Sequence, residues 1–131
     1  MILLQETMCS TYPALLAFSK LLPKWEFCAI SDFGLSGGLL TAWDPLRVRC
    51  HAHATVASIL VKADFRGMTS QLEILNCYGP YRDRDLFWDK FLWVGLLNSP
   101  NIILGGDLNL TMKYFETWGK RAVIDPFSLQ F

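Results

Sequence analysis

The chain has 131 residues, 52% of them hydrophobic and 18% charged, with 12 Lys+Arg balanced by 12 Asp+Glu, a pI of about 6.7 and a mean hydropathy of +0.26. These values exclude a disordered, strongly acidic or strongly basic protein, and with no net charge any contact with a nucleic-acid backbone must be local. One domain is expected, since a core of this size buries about two-thirds of the unfolded surface, and the apolar share is high for a small monomer.

Met1–Leu4 is an apolar run of strand character, halted by Gln5-Glu6-Thr7. Ser10 or Thr11 is placed to cap a helix with Pro13 in its first turn; Leu15, Phe18 and Leu22 share one face of it and Pro23 ends it. Strands follow at Trp25–Ile30 and Leu39–Trp43, separated by a loop over Ser31–Ser36, and Gly37-Gly38 suggests close backbone approach. Strict alternation over Leu46–His53 sets Leu46, Val48, Cys50 and Ala52 on a buried face and Arg47, Arg49, His51 and His53 on the other. Val56–Ala63 and Leu72–Tyr78 are two more strands, with a turn at Arg66-Gly67 between them. Asp83 or Asp85 can cap a helix over Leu86–Leu97, whose stripe of Phe87, Phe91, Val94 and Leu97 faces a core. Asn101–Leu104 is a short buried strand that runs into Gly105-Gly106-Asp107-Leu108-Asn109, and residues 110–131 show no period. This order implies an α+β domain with helices covering a mostly antiparallel sheet.

No apolar run approaches the roughly 20 residues of a membrane span, and the N-terminus lacks the basic and apolar regions of a secretory signal, so an intracellular protein without membrane contact is expected. The four cysteines, Cys9, Cys28, Cys50 and Cys77, form no Cys-x-x-Cys pair and read as buried or half-buried thiols.

Glu6 and Asp107 each follow a continuous apolar run, which places a carboxylate at the end of a buried strand. Asp107 and Asn109 stand two apart and can point to one side, with Gly105-Gly106 leaving room for a ligand. Such a set suits Mg²⁺, which takes oxygen ligands and is often held by only one or two carboxylates plus substrate phosphate. By itself, Gly-Asp-x-Asn is also the pattern of a turn closed by an Asx hydrogen bond. His51-x-His53 has the spacing of a metal pair but shares its strand face with Arg47 and Arg49, as a solvated surface does. Arg82-Asp83-Arg84-Asp85 is self-neutralising, Lys113, Lys120 and Arg121 give the tail a small positive bias, and Phe87, Trp88, Phe91 and Trp93 read as core rather than as a base-stacking platform.

Four patches, in order, carry a family resemblance: Leu4-Gln5-Glu6-Thr7, Ser36-Gly37-Gly38-Leu39-Leu40-x-x-Trp43, Asn76-x-Tyr78-Gly79-Pro80 and Gly105-Gly106-Asp107-Leu108-Asn109-Leu110-Thr111. Together they resemble the endonuclease/exonuclease/phosphatase superfamily, deoxyribonuclease I-like, over nearly the whole chain. The Ser-Gly-Gly-Leu-Leu patch and Asp125-Pro126 look most like its LINE-type retrotransposon endonucleases. The resemblance implies a layered sandwich of mostly antiparallel sheets flanked by helices. It implies Mg²⁺ (or Mn²⁺) as cofactor, no small-molecule cofactor, DNA as partner and work on nuclear DNA. It further implies Glu6 as metal ligand, Asp107 as the group that orients or activates the attacking water, and Asn109 as the residue that positions that aspartate and the phosphate. Tyr78 becomes the hydroxyl on the scissile phosphate, and Asn76 and Tyr81 become substrate contacts, Tyr81 standing where many members carry an asparagine.

Two departures stand beside these matches. The family's first strand, with a metal-site asparagine, has no counterpart before Glu6, and its late Ser-Asp-His motif has none after Asn109. Residues 1–131 are therefore expected to be a partial domain of poor solubility, inactive alone. The rival expectations are a non-enzymatic relic or binding module, and a phosphatase or ribonuclease branch of the same superfamily.

Overall fold

A computed structural model describes residues 1–33, 36–55, 57–80, 83–93, 95, 98–111, 113, 116 and 125–127. The described elements, in chain order, are β1 (Ile2–Gln5), α1 (Thr11–Leu21), β2 (Glu26–Phe33), β3 (Ser36–Trp43), β4 (Val48–Ala54), β5 (Ser58–Phe65), β6 (Leu72–Tyr78), α2 (Arg84–Trp93) and β7 (Ile102–Asp107). They form two sheets, β1-β3-β2 and β4-β5-β6-β7, antiparallel throughout except for the parallel pair β6-β7.

Side-chain alternation stacks these sheets. On β3, Leu39 and Trp43 join Val48, Ile59, Val61, Ala63 and Ile74 in the core between the sheets, whereas Leu40 and Ala42 turn to Ala14 and Phe18 of α1. Buried on both faces, β3 reads as the near-continuous apolar run Leu39-Leu40-Thr41-Ala42-Trp43. On β6, Leu75 and Cys77 face outward instead, against the fully buried Trp88 of α2. The layers are thus helix, sheet, sheet, helix: the α+β class that the residue pattern implies, arranged as the layered sandwich that the resemblance implies.

Several predicted boundaries move. The loop expected over Ser31–Ser36 is mostly ladder: Asp32 pairs with Gly37 and Phe33 with Ser36. Gly37 and Gly38 carry φ of 89° and 83°, so two glycines extend the hairpin where other residues would be strained. Gly38 is also a close approach, since a Cβ there would lie 2.3 Å from Thr7 Oγ1. The helix start differs too: Ser10 is the N-cap residue but makes no side-chain cap bond, and it is Ser31 Oγ, on β2, that accepts the Thr11 N–H at 3.0 Å.

Leu46, expected on a buried face, is 69% exposed because Asp44 closes a turn there, accepting the Leu46 N–H on Oδ1 and the Arg47 N–H on its carbonyl. Ala52 is exposed as well, at the uncovered end of β4. Strand β7 runs on through Asp107, and its Ile103 is exposed rather than buried. Of the expected α2 stripe, Phe87 meets the ring of Trp88 edge-on at 5.0 Å; the side chain of Phe91, and Val94 and Leu97, lie outside the described residues. Within the Arg82–Asp85 run, Arg84 reaches across to the buried carboxylate of Asp125 and ties the segment after β7 to α2, while Arg82 lies outside the described residues.

Candidate functional site

Glu6, Tyr78 and Asp107 stand at or just past the C-terminal ends of β1, β6 and β7. The topology brings these ends together: β6 and β7 are parallel neighbours in which Tyr78 pairs with Asp107, and Tyr78 Oη donates to Glu6 Oε1 at 2.5 Å across 72 residues of sequence. Both carboxylates are exposed and Tyr78 is half-buried, so one end of the sandwich presents two acids and a phenol to solvent.

Asn109 holds the aspartate. Its N–H donates to Asp107 Oδ1 at 2.9 Å, the Asx turn that the Gly-Asp-x-Asn pattern also allows, and its side-chain amide donates to the carbonyl of Gly79, just past β6. Gly79 in turn donates its N–H to the Asp107 carbonyl at 2.8 Å. The turn thus fixes the Asp107 carboxylate beside Gly79 at the end of β6. Glu6 and Asn109 adopt left-handed backbone, φ 50° and 49°, a sparsely populated region in which strained residues of functional sites concentrate.

Beneath Glu6 lies a buried polar cluster that sequence reasoning did not foresee. Asn76, fully buried, accepts from Gln5 Nε2 at 2.6 Å, and its own amide faces Leu4 O at 3.2 Å, Leu40 O at 3.1 Å and Thr41 Oγ1 at 3.1 Å. Asn76 was expected to contact substrate; the structure instead places it between the sheets, with all its polar capacity used to join β6 to β1 and β3. The sequence hint is an asparagine set between the apolar Ile74-Leu75 and Cys77.

The glycines also differ from expectation. Gly105 and Gly106 do not open space for a ligand: a Cβ on Gly106 would sit 1.9 Å from the Cys77 carbonyl, and one on Gly105 would sit 2.6 Å from Leu3 Cδ1. Their missing side chains let β7 close on β6 and β1. Gly79 is equally constrained, since a Cβ on it would run into the Leu108 carbonyl.

Tyr81 lies outside the described residues, as do Lys120 and Arg121. His51 and His53, the two histidines of the chain, occupy β4 opposite Lys62 and Leu60. They are exposed on the outer face of the second sheet, whereas Asn76 and Tyr78 belong to its inner face, so they do not join the site.

Among the described residues no cluster of three or more His, Cys, Asp and Glu side chains gathers as a metal cage does. The donors at the strand ends are hard oxygens, two exposed carboxylates and the amide oxygen of Asn109, whose nitrogen is engaged by Gly79. That chemistry fits Mg²⁺, which keeps much of its water shell, and does not fit zinc.

Two sheets stacked face to face, flanked by a helix on each side, with acids at converging strand ends, define a deoxyribonuclease I-like fold. The chain is similar to the solved structure of D. rerio TDP2 complexed with single strand DNA product, at a TM-score of 0.53 and 17% identity, over 83% of this chain and 47% of that one. It thus spans about half the length of that neighbour. No family model and no curated protein matches the sequence.

Proposed function

We propose that this chain carries the acid side of a Mg²⁺-dependent DNA phosphodiesterase site of the LINE-type endonuclease branch. The observation that carries the reading is the hydrogen bond from Tyr78 to Glu6 beside Asp107, which unites residues of three strands at one edge. The branch rests on the Ser36-Gly37-Gly38-Leu39-Leu40 patch, which here forms the β2-β3 hairpin and the central strand of its sheet.

Glu6 would hold the cation, whose contribution when bound is to neutralise charge on a phosphate oxygen. Asp107, held by the Asn109 N–H, orients a water through its exposed carboxylate and takes up a proton from it. Tyr78 exchanges its bond to Glu6 for one to a phosphate oxygen, a donor aimed where negative charge develops. Both histidines lie on the other face of the sheet, so the chain supplies no imidazole acid for the leaving group, and turnover by the chain alone is expected to be negligible. General acid–base steps are typically worth about 10²–10⁴-fold.

The test is therefore binding first and cleavage second. Fluorescence anisotropy with labelled single- and double-stranded DNA should show affinity that rises with Mg²⁺ and falls at least about tenfold in Glu6→Ala and Asp107→Ala. Supercoiled plasmid should stay intact. Affinity indifferent to Mg²⁺ and to both substitutions would favour a non-enzymatic module, and a preference for RNA or inositol phosphates would move the chain to another branch of the fold.

A further inference from the structure

The far edge of the first sheet carries a second feature, remote from the acids at the end of β1. Strand β2 is an edge strand, paired only with β3 among the described residues. Near its C-terminal end that edge is covered, the Asp32 N–H donating outward to the Cys9 carbonyl at 3.4 Å. Backbone groups of alternate residues point to the same side of an antiparallel strand, so Glu26, Cys28 and Ile30 also direct their N–H and C=O groups outward, and among the described residues these take no backbone partner. The strand has neither proline nor lysine, two common means of protecting a free edge.

Beside this edge, α1 presents an apolar stripe that the chain does not bury. Ala14 and Phe18 face the sheet, but Tyr12 is 75% exposed and Leu16 46% exposed. With Leu15 and Ser19 they wall a groove of about 570 Å³, whose other side is Trp25, Glu26, Phe27 and Trp43. Of the residues lining it the one with a charge is Glu26, an exposed carboxylate whose Oε2 accepts the Trp43 indole N–H at 2.8 Å.

From these observations we infer that the α1-β2 groove binds an extended polypeptide segment that adds to β2 as a further strand, with apolar residues against α1 and a basic residue beside Glu26. Free backbone groups beside an apolar helix wall are what strand addition uses: main-chain hydrogen bonds supply affinity, and pockets for alternate side chains supply specificity. The chemistry follows from β2 itself. Phe27 and Ala29 face the α1 side and Glu26 the opposite side at the start of the strand, followed there by the apolar Cys28 and Ile30, so an added strand meets apolar surface along β2 and a carboxylate at Glu26.

The probe is a fluorescein-labelled octapeptide of alternating leucine and lysine, added to the full chain. Saturable binding is expected, with protection from hydrogen exchange at the Glu26, Cys28 and Ile30 amides. Leu16→Asp changes an exposed residue, and retention of its circular dichroism spectrum would show that the fold survives; it should weaken binding about tenfold or more, and Glu26→Gln should act in the same direction. A leucine–glutamate peptide and a leucine–lysine peptide with methylated backbone nitrogens should bind at least about tenfold more weakly. Equal binding of the methylated peptide, absence of protection at the three amides, or protection without peptide in a sedimenting dimer would each overturn the inference, the last assigning the edge to a second copy.

Discussion

Asn76 shows how a single residue couples the core to the site. A buried amide is tolerable only when its donors and acceptors are met, and here Gln5, Leu4, Leu40 and Thr41 meet them. Asn76→Leu keeps similar bulk but leaves the Gln5 amide and strand carbonyls unpaired, and should cost about 3 kcal/mol in urea unfolding. Glu6 and Asp107 behave oppositely: both are exposed, so their alanine variants should change stability by less than about 1 kcal/mol while removing Mg²⁺-dependent DNA binding. Gly106→Ala combines a φ of 142° with a clash against the Cys77 carbonyl, so it should lower the urea midpoint more than either acid variant does.

Among the described side chains of helix α2, Trp88 is the one buried in the core. Trp88 is fully buried against Leu75, Cys77 and Phe127, and the ion pair of Arg84 with Asp125 fastens the same helix to the segment after β7. Large-to-small replacement of a buried tryptophan leaves a cavity as well as lost transfer energy, so Trp88→Ala should cost about 3–5 kcal/mol by denaturant unfolding. Amide exchange should show α2 opening before β3. Strand β3 needs no comparable anchor, because it is central in its sheet and packed on both faces.

On the scale of the whole molecule, burial governs the thiols. It raises the Cys28 pKa and is the first cause of the rise at Cys50 to about 11, where Glu26 and Asp64 add to it; burial also pushes Cys77 up to about 12. Thiols in the unfolded chain ionise near the ordinary value of 9.0. Above that pH the unfolded state loses protons that the folded state keeps, so stability is full below about pH 9 and declines as pH rises toward the folded values. Urea midpoints measured from pH 8 to pH 11 should fall, and Cys77→Ala should flatten the decline. Cys77 should also react with a thiol reagent only as fast as the chain opens. The apolar surplus has a matching explanation: two sheets and two helices provide three internal interfaces, and some apolar surface still remains outside, at Tyr12, Leu16, Leu21 and Ile103.

Most elements were legible from local pattern alone, because a period of 2 or 3.6 is written in neighbouring residues: β6 matches residue for residue, and α1 and β1 agree to within a residue or two at either end. Glu6, Asp107 and Asn109 could likewise be singled out, the two acids by their place after apolar runs and Asn109 by its spacing of two from Asp107. Tertiary structure alone decided what lay opposite them. Asn76 became a link between sheets, Gly105-Gly106 became a seat for Leu3 and the Cys77 carbonyl, and Arg84 found Asp125 instead of its neighbours. In each case the partner lies far along the chain, and a side chain's role is set by the atoms that exclude water around it, which no local period records.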